Sequence, residues 1–310
     1  MNFLLIISGL ILLVLGGNWL LKSAVALSLK LDIPKIVIGM TVVSFATSAP
    51  ELIVSINAAL NGSPDLALGN VIGSNIANLG LVLGITLLLS TMEVQKSFYK
   101  TDWPIMMVAS ALLYFFLVND KVITQYEGIV LFSFLIFFLI FVLRFQKKPI
   151  VDELSEDEEP LPKFKIALFL VLGGVGLWGG SELLIKGATT LAKDFGVTER
   201  VIGVTIVSIG TSVPELAASI IAIIKKEKAI SLGNLIGSNI FNILAVLGIT
   251  SMITPINVVD ERLLTSDLFW MLGISFVILP LVFLPKRYQL NWKHGSLLLI
   301  GYFVFIYYTL

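Results

Sequence analysis

Two glutamates, Glu51 and Glu215, are the side chains of this sequence with the clearest capacity for chemistry. Each lies near the middle of an apolar run, in the segments FATSAPEL and IGTSVPEL. A carboxylate at the centre of a membrane costs about 3 kcal/mol or more, so such a residue is a functional candidate. No Lys or Arg lies between residues 36 and 60 or between 201 and 224. We therefore expect the positive partner of each carboxylate to come from elsewhere.

Hydroxyl and amide side chains accompany both glutamates at helical spacing. Thr47 and Ser48 precede Glu51 by four and three residues, so a helix places all three on one face. On the next apolar segment Ser74 and Asn78 are four residues apart. The same pattern occurs a second time, in Thr211, Ser212, Glu215, Ser238 and Asn242.

Prolines next to the glutamates add main-chain acceptors to this pattern. Proline has no N–H, and its ring opens the preceding helical turn. We expect Pro50 to free the carbonyl of Ala46 or a neighbour, and Pro214 to free that of Gly210.

Every candidate ligand in the two clusters is an oxygen, which favours hard cations such as Ca²⁺ and Na⁺ over softer metals. Two carboxylates neutralise one Ca²⁺, and the same oxygens can be divided among several Na⁺ ions. Interhelical packing is the alternative role for the Ser, Thr and Asn residues. Packing does not require a carboxylate, but it explains the nearby glycines equally well: Gly69, Gly73, Gly84, Gly233, Gly237 and Gly248.

The two clusters belong to an internal repeat. Residues 39–86 recur as residues 203–250, at a constant offset of 164, and 26 of the 48 positions are identical. The identities concentrate on Gly, Pro, Ser, Thr, Asn and Glu, whereas apolar segments match each other by composition alone. The repeat indicates a gene duplication that preserved the polar residues.

Composition places these segments in a membrane. The chain has 57% hydrophobic and 14% charged residues, so we predict an all-α, multi-pass protein of the cell membrane. It has no cysteine, and its net charge of zero indicates no nucleic-acid partner. Since a span needs about 20 apolar residues, we predict ten spans: 3–27, 35–60, 67–90, 103–118, 124–145, 165–192, 200–224, 230–252, 264–284 and 294–310. The fourth is the shortest, and hydropathy alone leaves a nine-span count open.

Charge predicts the orientation of the spans. With the N-terminus outside, 16 of the 21 basic residues fall in cytoplasmic loops, as the positive-inside rule requires. Two halves of five spans each, 1–145 and 164–310, then cross the membrane in opposite senses, as in many secondary transporters. The acidic segment between them, 146–163, does not have the spacing of a calcium-binding EF-hand loop. We interpret it as a solvated cytoplasmic linker.

The motifs GTSVPE, ATSAPE and the two GSNI segments resemble the α1 and α2 repeats of the sodium/calcium exchangers, of the calcium/cation antiporter superfamily and its prokaryotic type. The resemblance implies ten helices, an outward N-terminus and a site between spans 2, 3, 7 and 8. It implies Glu51 and Glu215 as central ligands, with main-chain carbonyls of Ser44 and Ser208 as further contributors. Some relatives have Asp where this chain has Asn242, so the expected site has two carboxylates, which weakens a case for potassium dependence.

The expected function is an antiporter, not an enzyme, that exchanges Na⁺ for Ca²⁺ by alternating access and extrudes calcium electrogenically. We expect no cofactor, a monomer sufficient for transport, and protons that compete with cations for the buried carboxylates. A proton/calcium exchanger of the same fold is one alternative, and a passive cation channel is another. An intramembrane enzyme that uses two carboxylates is the least favoured, since the chain has no HExxH pair.

Overall fold

A computed structural model describes residues 2–145, 161–195 and 208–309. Most of the acidic linker predicted at 146–163 lies outside these residues, as does the beginning of the seventh predicted span, at 200–207. The described chain is almost entirely helical. A helix satisfies its own backbone hydrogen bonds, and apolar segments in a membrane require this.

Fifteen α-helices occur in the described residues, several of them joined end to end by π-helical turns. They are α1 Asn2–Leu31, α2 Lys35–Ile38, α3 Ser44–Thr47, α4 Ala49–Leu60, α5 Pro64–Ala77, α6 Leu83–Leu89, α7 Trp103–Asp120, α8 Gln125–Phe145, α9 Lys163–Asp194, α10 Ser208–Gly210, α11 Val213–Ile224, α12 Lys228–Phe241, α13 Gly248–Ile253, α14 Leu268–Phe283 and α15 Trp292–Thr309. The π-helical turns are Gly39–Val43, Asn78–Val82, Phe98–Asp102, Asn242–Leu247 and Leu263–Asp267. The strands are β1 Met92–Glu93, β2 Val122–Ile123, β3 Ile256–Asn257 and β4 Gln289–Leu290.

Seven helices within the described ranges are long and apolar enough to cross a membrane, and an eighth span results if Lys35–Thr47 and Ala49–Leu60 count as one. The predicted fourth span is among the seven, as the 23-residue helix Phe98–Asp120. The described part of the predicted seventh span includes the 12-residue α11, and the predicted tenth is the 18-residue α15. The multi-pass prediction is therefore confirmed, while the count of ten and the inversion of the halves remain predictions.

The chain divides into two compact units. The first contains residues 1–47 and 139–234. Its main contact joins α1 to α9, and α11 packs against both helices. Leu13, Leu20, Leu177 and Ile221 are buried in its core.

Glycines allow α1 and α9 to approach at backbone distance. A Cβ atom added to Gly16 would lie 2.6 Å from the Leu177 nitrogen, and one added to Gly180 would lie 2.8 Å from the Leu13 nitrogen. Real Cβ atoms do not come this close to backbone. The two helices therefore approach at backbone distance at these glycines.

The second unit contains residues 48–138 and 235–310. Two short antiparallel pairings, β1 with β4 and β2 with β3, connect its loops. Burial separates the single-helix spans of the described ranges into two classes. About 83% of Pro64–Leu89 and of Lys228–Ile253 is buried, against 28–33% of each of the other five single-helix spans. These two mostly buried spans contain the GSNI segments, so the polar residues of those segments are removed from lipid.

His294 stabilises the start of α15 through two backbone groups. Its Nδ1 accepts the Asn291 N–H at 3.0 Å, so its Nε2 carries the proton and donates to the Leu284 carbonyl at 2.7 Å. The imidazole is 4% exposed. Both ring nitrogens are thus used by main-chain groups.

We expect His294→Ala to lower the free energy of unfolding by about 1–3 kcal/mol, because two backbone groups lose their partner. The measurement is the thermal midpoint of the detergent-solubilised protein. Ser296→Ala is the control, since within the described part of the chain the Ser296 hydroxyl bonds only to the Trp292 carbonyl of its own helix. A midpoint that falls equally in both variants would contradict this role for the imidazole.

Candidate cation-binding site

The two glutamates occupy equivalent places at the starts of two helices. α4 begins after Ser48, whose φ and ψ are −90° and 4°, and α11 begins after Ser212, with −89° and 4°. Pro50 follows in the first turn of α4, where a missing N–H costs nothing. Glu51 and Glu215 both lie in a first helical turn, where the helix dipole favours a negative charge.

The helix breaks lie where the prolines were expected to open a turn. Each helix ends and restarts before its proline. The Gly210 carbonyl, which Pro214 leaves without its helical donor, accepts the Ser181 hydroxyl of α9 at 2.7 Å. The Ser181 hydroxyl, within the first unit, thus replaces the backbone N–H that Pro214 lacks.

In the first unit, Asn234 connects two of the predicted ligands. Ser44 donates its hydroxyl to the Asn234 carbonyl at 2.9 Å, and the Thr47 hydroxyl lies 3.2 Å from the Asn234 Oδ1 and 3.3 Å from the Ser44 carbonyl. The Asn234 amide donates to Ser219 at 3.3 Å. One predicted acceptor, the Ser44 carbonyl, is therefore close to a hydroxyl of the same cluster.

The other predicted ligands of this unit lie around the start of α11. Glu215 is fully buried, Ser212 is 2% exposed, and Thr211 is half-buried. Within the described residues the Ser212 hydroxyl has no hydrogen-bond partner. Ser208 begins α10, and its side chain lies outside the described part of the structure. α3, which ends at Thr47, packs against α11.

In the second unit, α4 packs against α5 and against the π-helical turn that begins at Asn242. This contact brings the helix of Glu51 beside the segments that contain Ser74 and Asn242. Asn70 joins α4 to α5, since its amide donates to the Ser55 hydroxyl at 3.0 Å and to the Glu51 carbonyl at 3.4 Å. The predicted ligands of this unit are all 4% exposed or less: Ser48, Glu51, Ser74, Asn78, Ser238 and Asn242.

Asn78 and Asn242 each begin a π-helical turn of the second unit. Such turns are frequent at functional sites. Both side chains are fully buried, and within the described residues neither Oδ1 accepts a hydrogen bond. A buried carbonyl oxygen without a donor is costly unless something else satisfies it. These two oxygens are therefore available to a cation.

Sequence reasoning missed four asparagines that support these ligands: Asn70, Asn75, Asn234 and Asn239. A signal for them was present, because all four are identical between the two copies. Their spacing from the glutamates did not identify them, since their side chains form hydrogen bonds with neighbouring segments rather than with residues on their own helical face.

Comparison with known proteins identifies the family of this chain. The family described as sodium/calcium exchanger protein matches residues 1–144 and 165–310. The chain belongs to this family. It is a multi-pass integral membrane protein, and the family supports cation exchange as its activity.

Relatives cover nearly the full length of the chain. Putative antiporter CaxA of Alkalimonas amylolytica is 38% identical, over 97% of this chain and 96% of that protein. Sodium/calcium exchanger MaX1 of Methanosarcina acetivorans is 30% identical, over 98% and 97%. A solved structure of the sodium-calcium exchanger NCX_Mj matches with a TM-score of 0.84 at 26% identity, over 99% of this chain and 98% of that chain. The predicted family membership is thus confirmed.

Proposed function

We propose that this protein is a secondary antiporter that exchanges Na⁺ for Ca²⁺ across the cell membrane by alternating access. The observation that carries the proposal is the pair of fully buried carboxylates, Glu51 and Glu215, at the starts of two equivalent helices among oxygen donors. The proposed ligands are Ser44, Thr47, Ser48, Glu51, Ser74, Asn78, Ser208, Thr211, Ser212, Glu215, Ser238 and Asn242.

Charge and ligand type support Ca²⁺ and Na⁺ as the transported ions. The helix dipole supplies about half a positive charge near each carboxylate, too little to neutralise it. Two carboxylates match the charge of one Ca²⁺, and uncharged hydroxyl and amide oxygens complete the coordination of hard cations. Several Na⁺ ions divide the same oxygens, so the two fillings exclude each other and exchange follows.

The transport cycle that we propose uses two inverted five-span halves with the N-terminus outside. The 16-to-5 distribution of basic residues and the odd number of predicted spans in each half support this topology. With the family ratio of three Na⁺ per Ca²⁺, each cycle moves one net charge, and Ca²⁺ leaves the cell at the expense of the Na⁺ gradient. The membrane potential then affects the rate. We propose that a monomer suffices and that no resident cofactor or enzymatic activity is involved.

Uptake of ⁴⁵Ca²⁺ into proteoliposomes loaded with Na⁺ tests the function. Outward Na⁺ flow is expected to drive uptake, and collapse of the Na⁺ gradient at constant pH is expected to stop it. Uptake that persists and follows an imposed pH gradient would instead identify a proton/calcium exchanger. Ca²⁺ flux without any counter-ion would identify a passive channel.

A further inference from the structure

Four buried asparagines of the second unit are joined by hydrogen bonds: Asn75 and Asn239 close a ring through two reciprocal bonds, and each accepts a bond from one outer asparagine. The four residues together are called the asparagine ring. The Asn75 Nδ2 donates to the Asn239 carbonyl at 3.3 Å, and the Asn239 Nδ2 donates to the Asn75 carbonyl at 3.3 Å. The Asn242 Nδ2 donates to the Asn75 Oδ1 at 3.1 Å, and the Asn78 Nδ2 donates to the Asn239 Oδ1 at 3.2 Å. The pairing is therefore crosswise: every bond joins an asparagine of the first copy to one of the second.

The direction of every amide in the ring follows from the main chain. A backbone carbonyl only accepts, so the end of the Asn75 side chain that faces the Asn239 carbonyl must be its NH₂ group. The second N–H of that group faces the Met271 sulfur at 3.7 Å, and that of Asn239 faces the Met106 sulfur at 4.0 Å. The side-chain nitrogens of Asn75 and Asn239 are thus both used as donors. Their side-chain oxygens face Asn242 and Asn78, respectively.

This direction fixes the outer pair in turn. The Asn242 end that meets the Asn75 Oδ1 must be its NH₂ group, so the Asn242 Oδ1 points away from the ring. The same argument applies to Asn78 through Asn239. These two outward oxygens are the buried ones that have no donor within the described residues. Without the inner pair, either outer amide could rotate by 180° and present its NH₂ group instead.

We propose that Asn75 and Asn239 are positioning residues that hold Asn242 and Asn78, respectively, with their side-chain oxygens directed at the transported cation. The assignment rests on the proposed function of this chain as a cation antiporter. An NH₂ group directed at a cation repels it, so a wrong amide orientation removes a ligand and adds a repulsive dipole. Partners that orient metal ligands in this way change metal affinity by about 10–100-fold when they are removed.

Crossed double-mutant cycles test the assignment. In proteoliposomes Asn75→Ala is expected to raise the half-saturating Ca²⁺ concentration by about tenfold. In an Asn242→Ala background the same change is expected to add less than about twofold, because its target is already gone. In an Asn78→Ala background it is expected to add the full factor of about ten. Asn239→Ala should show the opposite pattern, with its effect lost only in the Asn78→Ala background.

A purely structural ring predicts a different result. If Asn75→Ala adds the same factor in both backgrounds, the asparagines act through packing, and the proposal is overturned. Ser251→Ala is the control: Ser251 is fully buried on the span that contains Asn239, and within the described residues its hydroxyl donates only to the Leu247 and Gly248 carbonyls of that span. The half-saturating Ca²⁺ concentration of Ser251→Ala is expected to stay within about twofold of that of the parent.

The cycles do not depend on turnover, because the Ca²⁺-induced rise of the thermal midpoint in detergent provides a second measure of binding. If the alanine variants do not fold, Asn75→Leu and Asn239→Leu, which keep the side-chain volume, replace them. If these variants also fail to fold, the asparagine ring is needed for folding, and the proposal is overturned. A parent that exchanges no Ca²⁺ contradicts the proposed function instead, and the cycles are then measured through the midpoint shift induced by Na⁺.

Discussion

Ca²⁺ exchange is expected to fall by about a hundredfold or more when Glu51 or Glu215 is replaced by glutamine. Removal of one partner from a buried charge pair costs about 3–5 kcal/mol, and each 1.4 kcal/mol is about a factor of ten in affinity. Glutamine keeps the shape of the side chain. Each variant is therefore expected to fold, while the proposed site keeps a single negative charge against a divalent ion.

The measurement is Na⁺-driven ⁴⁵Ca²⁺ uptake at matched amounts of reconstituted protein. Glu93→Gln, a change at an exposed residue of β1, is the control and is expected to exchange like the parent. If either buried variant exchanged at the parental rate, the assignment of that glutamate as a central ligand would be wrong.

A single added methyl group at Gly16 is expected to disrupt the pairing of α1 with α9. The new Cβ would lie 2.6 Å from the Leu177 nitrogen and 2.8 Å from the Gly176 carbonyl carbon, so the two backbones must separate. Overpacking of a well-packed core costs about 1–3 kcal/mol. We expect Gly16→Ala to lower the thermal midpoint and the rate of exchange, and Gly16→Leu to abolish folded protein.

Gly179→Ala is the matched control for this effect. A Cβ at Gly179 meets no atom within 4 Å, although the residue lies in the same helix, α9. Alanine is the better helix former by about 1 kcal/mol, so this variant is expected to be neutral or slightly stabilised. Equal thermal midpoints for Gly16→Ala and Gly179→Ala would show that helix propensity, rather than close packing, determines the result.

Much of the candidate site could be predicted from the sequence, because a buried charge in an apolar run has few structural explanations. The repeat identified Glu51 and Glu215, and helical spacing suggested the hydroxyls near them. The shared helical face predicted for Thr47, Ser48 and Glu51 is wrong, because the helix ends at Thr47 and restarts at Ala49. The placement of the two glutamates at helix starts was harder to predict from the sequence. Proline indicates a break, but the residue at which the helix ends is determined by the conformation of Ser48 and Ser212.

The asparagine ring could not be predicted from spacing, since its bonds connect residues 161–167 positions apart. Periodicity places Asn75 and Asn78 on one helical segment and suggests no contact between Asn75 and Asn242. The use of the Gly210 carbonyl by Ser181 is of the same kind. Local rules identify groups that lack a helical partner, whereas the tertiary fold determines which group satisfies them.

The asparagine ring also determines where this protein can respond to acidity. Its members are amides, main-chain carbonyls and two thioethers, none of which gains or loses a proton between about pH 5 and pH 9. The asparagine ring therefore contributes no group that titrates in this range. Under the proposed function, the amide oxygens of Asn78 and Asn242 are ligands whose number does not change with pH.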